Sequence, residues 1–149
     1  MKKMVNISLV YFIFAMAGGV FYREFTKLYG YTGLTSLRVV HTHLLVLGTF
    51  LFLLLALACK ATDIQKSGQF KRFLVLYNIA LPLMVIMLLV RGIIQVLDIE
   101  LGSGDAAVSG IAGVSHILLL IAFIFFFLSL RDAASGKEAI ELIKKKKQM

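Results

Sequence analysis

The chain has 149 residues, 60% of them hydrophobic, and a mean hydropathy of +0.91, against roughly 45–50% apolar residues in an ordinary soluble domain. One proline, one cysteine and no tryptophan exclude a collagen-like chain, a disulfide scaffold and a zinc ribbon of paired cysteines, and Cys59 reads as a small buried hydrophobe. The net charge of +8 would point to nucleic acid in a soluble chain, but in so apolar a chain its distribution reports orientation instead.

Four apolar runs follow in chain order, at residues 5–22, 39–59, 73–97 and 111–130. Each is close to the ~20 residues that a helix rising ~1.5 Å per residue needs to cross hydrocarbon. Lipid supplies no hydrogen bonds to the backbone, so helices are the default spanning form. A barrel would need alternating polarity, and Phe50-Leu51-Phe52-Leu53-Leu54-Leu55 does not alternate. The expected fold is therefore all-α, a four-helix transmembrane bundle over residues 1–136 with a basic tail at 137–149. The first run follows Lys2-Lys3 and contains Ala15-Met16-Ala17, a pattern that cleavable secretory signals also use; we read it as a retained first span.

Basic residues cluster on one side of these spans. Lys2 and Lys3 precede the first, Lys60, Lys66, Lys71 and Arg72 join the second to the third, and Arg131, Lys137 and Lys144 to Lys147 follow the fourth. Only Arg23, Lys27, Arg38 and Arg91 are left for the other side. The positive-inside rule then places both termini in the cytoplasm. The tail carries Ala139, Ile140, Leu142 and Ile143 among its charges. It reads either as a short helix at anionic headgroups or as a solvated segment that fixes topology.

Polar residues concentrate in the outer half. The second span carries Arg38, His41 and His43, the third Arg91 and Gln95, and the fourth Ser115 and His116. All three histidines of the chain are among them, about one to two turns below the outer surface, and Arg91 falls at the same level. Ionisable groups in a membrane cost a few kcal/mol each and mark functional sites by default. A single histidine is as readily a helix-bridging hydrogen bonder. Three at one depth with arginines beside them favour a bound group, and neutral imidazole ligates haem iron, zinc and copper.

Arg38-x-x-His41 puts a guanidinium and an imidazole on one helical face, with the arginine nearer water. That arrangement suits an embedded haem, whose iron needs an axial nitrogen while its propionates need cations. Gly48, about two turns below His41, is expected to leave room for a flat macrocycle, as is Gly113 above His116, although small residues also let spans pack closely. Zinc would call for more carboxylate or thiolate than this layer offers. His41 and His43 point about 200° apart, so a regular helix cannot aim both at one ion. We expect haem b with His41 and His116 as the axial pair, His43 a further candidate ligand, and Arg38, Arg91 and Arg23 near the propionates. Tyr22 and Lys27 read as interfacial anchors, and Met84 and Met87 as core filler.

The stretch Leu37-Arg38-Val39-Val40-His41-Thr42-His43-Leu44-Leu45-Val46 resembles the second helix of the catalytic subunits of nitric oxide reductases and related haem-copper oxidases, where Arg-x-x-His-Thr supplies a low-spin haem ligand. His41-Thr42-His43 also resembles a His-x-His of another oxidase helix, whose two histidines serve different haems. The two likenesses assign different axial ligands, so the choice between His41 and His43 stays open. With Tyr22-Arg23-Glu24-Phe25-Thr26-Lys27 and His41 to Gly48, the whole chain is similar to a family of small uncharacterised four-helix bacterial membrane proteins, which implies the bacterial plasma membrane. The oxidase fold has twelve helices in three arcs of four, so the resemblance implies a homotrimer; a monomeric bundle with one internal haem is the alternative. Three histidines leave too few for a copper or non-haem iron centre, and no carboxylate line crosses the inner half, so oxidase turnover is not expected. The functions in play are electron transfer with an unknown redox partner, or diatomic gas or redox sensing; a small transporter or channel using Arg91 and the Asn78–Pro82 region; and a structural accessory subunit without cofactor.

Overall fold

The computed structural model describes residues 1–148, with side chains described through Ser135. Four helices are long and apolar enough to cross a membrane. The first is α1, Lys2–Leu28. The second span is composite, with α2 at Leu37–His43, a π-helical segment at Leu44–Phe50 and α3 at Leu51–Ala61. A 3-10 turn at Ile64–Lys66 leads to α4, Gly68–Val96, and then α5, Gly104–Gln148. The expected basic tail is continuous with α5 in its backbone, and its side chains lie outside the described residues.

The helices run past the apolar stretches that signal them, because the intrahelical ladder stops where a cap stops it and not where hydropathy changes. At the end of α1 the N–H of Gly30 bonds Lys27 and that of Tyr31 bonds Thr26, a Schellman closure with Gly30 at φ +59°. At the end of α4 the N–H of Ile99 bonds Ile94 in the same manner, with Asp98 in the left-handed region at φ 52°. Ser67 caps α4, its Oγ accepting from the N–H of Gln69 at 3.2 Å.

The spans form an open arc in chain order. The second packs against α1 on one side and α4 on the other, while α5 packs on α4 and on the 3-10 turn. The inner half is knitted by aromatic rings. Tyr11 stacks on Phe52 with centroids 5.5 Å apart, Phe52 meets Tyr77 at 5.9 Å, Tyr77 meets Phe123 edge-on at 5.5 Å, and Phe73 meets Phe126 at 5.1 Å. One ring contact after another thus links α1, α3, α4 and α5. Lipid tails are as apolar as these side chains, so close packing and hydrogen bonds have to hold the spans together.

The π segment is secured from both sides. Tyr77 on α4 donates to the Leu47 carbonyl at 2.8 Å, and Ser8 on α1 donates to the Thr49 carbonyl at 2.9 Å. Such segments are rare and their backbone geometry departs from the α ladder; here side-chain hydroxyls from two neighbouring spans give these carbonyls partners that lipid cannot supply. The regular second helix expected from its hydropathy is thus interrupted immediately after His43.

Candidate functional site

The outer half is assembled around the entry of the second span. Thr35 Oγ1 donates to the Gly92 carbonyl at 3.0 Å, and the Gln95 side-chain oxygen accepts from the Ser36 N–H at 2.7 Å. Gly92 admits this approach: a Cβ there would lie 2.6 Å from the Leu37 backbone nitrogen. On the far side of α4, Arg91 donates to Ser109 Oγ at 2.8 Å and ties α4 to α5. Gln95 and Arg91 therefore act at least as links between spans.

His41 faces α1, with its ring carbon Cγ 3.7 Å from where a Cβ would stand on Gly19. Its Nδ1 is buried and makes no hydrogen bond. Arg38 lies one turn outward of His41, and Arg23 one turn outward of Gly19. Both arginines are exposed. Arg23 sits 3.6 Å from Glu24, a surface pair that contributes little.

His43 and His116 share a different arrangement. The Nδ1 of His43 lies 2.7 Å from the Val39 carbonyl, and that of His116 lies 2.8 Å from the Ala112 carbonyl. A carbonyl only accepts, so Nδ1 carries the proton in each bond, and a neutral ring then keeps its lone pair on Nε2. This is how metal-ligating histidines are commonly oriented.

Two expectations are corrected by the packing. Gly48 leaves no gap for a macrocycle, because the Tyr11 side chain fills it: a Cβ on Gly48 would lie 2.6 Å from Tyr11 Cβ and Cγ. The glycine does share the α1-facing side with His41, but it serves helix contact. The His41–His116 pair is not assembled inside one chain either. His41 is turned to α1, His116 is exposed on α5, and α4 is the span that both neighbours share. Gly113 stays open, with nothing within 4 Å of where a Cβ would stand, on a helix whose outer surface is bare. Among the described residues no three His, Cys, Asp or Glu side chains converge on a metal position.

Sequence reasoning missed Gly19 and Ser109. The signal for Gly19 was present in its four-residue spacing from Arg23, which puts both on one face of α1. Ser109 precedes the fourth apolar run, so a search restricted to that run passes over it. Met84 and Met87 are buried, as filler would be.

Four helices long and apolar enough to cross a membrane, with all three histidines towards one end of them, define a multi-pass helical membrane protein. Within that class, the chain belongs to the family described as protein of unknown function (DUF2871), whose model matches residues 1–133. No curated protein matches the chain. No solved structure matches it, and the likeness to haem-copper oxidases finds no support in these comparisons.

Proposed function

We propose that this chain binds haem b within the bacterial plasma membrane, both termini cytoplasmic, and uses it for electron transfer or for sensing a diatomic gas or redox state. The observation that carries the reading is the state of the three imidazoles. His43 and His116 hold Nδ1 to their own backbone and keep Nε2 for a ligand, and His41 has a buried nitrogen without a partner. An unpaired polar group at such a position is costly unless something completes it.

Because His116 is exposed on α5 while His41 and His43 sit on the second span, we place the haem where copies of the chain meet. The open arc supports that reading: its terminal spans, α1 and α5, make their principal contacts with one neighbour each, which leaves faces for another copy, and three copies would supply twelve spans. Arg38, Arg23 and Arg91 would serve the propionates. Haem supplies a reversible one-electron couple or an open iron position according to its axial ligands.

The test is an absorption spectrum of protein purified from membranes of cells given ample haem, taken oxidised, reduced with dithionite and exposed to carbon monoxide, with a pyridine haemochrome assay for stoichiometry. A Soret band that is lost in His116→Ala and in one of His41→Ala or His43→Ala is expected. An unshifted band under carbon monoxide favours electron transfer, and a shifted one favours gas sensing. No Soret band rejects both and leaves a cofactor-free accessory subunit, the reading that the Arg91–Ser109 and Ser36–Gln95 links favour. Haem bound to a protein of monomer mass in detergent would remove the intermolecular site.

A further inference from the structure

A groove of about 1000 Å³ runs between α1 and α4, floored by the second span. Its α1 wall extends from Lys3 to Phe21, about 27 Å at ~1.5 Å per residue, close to the ~30 Å of a bilayer's apolar layer. The lining is apolar except for Lys3 and Asn6 at the lysine-bearing end and Tyr11 and Asn78 deeper in. There the Tyr11 hydroxyl donates to the Asn78 side-chain oxygen at 3.4 Å. Pro82, in the same wall, has no N–H to bond the Asn78 carbonyl, so that carbonyl lacks its usual helical donor at this depth.

The charge at the mouth is one-sided. The groove wall contains no carboxylate, and Lys71 lies seven residues before Asn78, about two turns nearer the membrane surface on the same face of α4. Lys3 belongs to the lining, and Lys71 lies beyond its α4 wall, which begins at Asn78, on the groove-facing side of that helix by periodicity. We propose that this groove holds an anionic phospholipid of the adjacent leaflet, its phosphate between Lys3 and Lys71 and an acyl chain lying along the groove past Tyr11 and Asn78. A span from a second copy fits less well. Every span of this chain carries a cation at that end, in Lys2, Lys60, Arg72 and Arg131, and a copy in the same orientation would set one of them against Lys3 and Lys71. The proposal does not depend on the cofactor reading.

The test uses the full chain in nanodiscs made of phosphatidylglycerol and phosphatidylcholine in equal parts, then released for native mass spectrometry. Wild type is expected to retain phosphatidylglycerol in preference to phosphatidylcholine. Replacing both lysines, Lys3→Gln with Lys71→Gln, should cut that preference on the order of 30-fold, from about 1 kcal/mol per lysine. Val10→Trp, which fills the groove wall, should expel the lipid while circular dichroism stays helical. The lysine variant decides the matter even if Val10→Trp does not fold, since Lys3 and Lys71 are exposed. Equal retention of the two lipids, a preference unmoved by the lysine variant, or a second copy of the chain retained in place of lipid would each overturn the assignment. So would displacement of phosphatidylglycerol by an equal concentration of polyprenyl phosphate, which would assign the groove to a longer-tailed lipid.

Discussion

The inner and outer halves of this protein are held together by different means. In the inner half Phe52, Leu55, Phe73 and Tyr77 are completely buried, and hydroxyls of Ser8 and Tyr77 bond the irregular backbone of the second span. The outer half relies on a few polar links, at Thr35, Ser36 and Arg91, and contains an imidazole with a buried unbonded nitrogen. The inner half has the character of a scaffold; the outer half has spare bonding capacity. In a membrane, where apolar association gives no advantage over lipid, that spare capacity is what distinguishes a place for a ligand from a place for packing.

The sharpest way to break this contrast is to compare one substitution in each half. Phe52→Ala should destabilise by about 3–5 kcal/mol, the usual range for removing a buried aromatic ring. His41→Leu should leave the cofactor-free protein as stable as wild type or more so, because it removes an unsatisfied polar atom. Unfolding midpoints of the two variants in the same detergent check this, and a large loss at His41 would mean that the outer half is scaffold as well. Next in size, Gly48→Ala should cost about 1–3 kcal/mol by forcing the Tyr11 side chain away, read as a lowered thermal midpoint with secondary structure intact. A smaller effect is expected for Tyr77→Phe, about 0.5–1.5 kcal/mol, because the Leu47 carbonyl loses its side-chain donor; faster amide exchange confined to residues 44–50 would locate the effect in the π segment.

Much of this fold was legible in the sequence, because spanning lipid imposes a length and a polarity that one chain displays openly. The four spans and the confinement of histidines to one half follow from runs of residues. The departures concern relations between spans. No residue type announces a π segment, so a continuous apolar run such as Leu44-Leu45-Val46-Leu47 reads as ordinary helix. Gly48 looks like a vacancy until α1 is placed beside it, and Tyr11 gives no sign of being its neighbour. His41 and His116 share a depth, which counting residues reveals, but not a direction, since the rotation of each helix about its axis is set by what packs against it.

The π segment also bears on how this chain tolerates insertions and deletions. A helix that closes i→i+5 bonds holds more residues per turn than an α-helix, so losing a single residue between Leu44 and Phe50 could restore regular geometry without breaking the span. The outer and inner ends would then keep nearly their present orientation, because the wide turn holds about one residue more than α geometry needs for the same rotation. His41 would stay beside Gly19 and Phe52 among the rings, whereas one residue lost from the regular stretch Leu51–Ala61 would turn one end of the span by about 100° against the other.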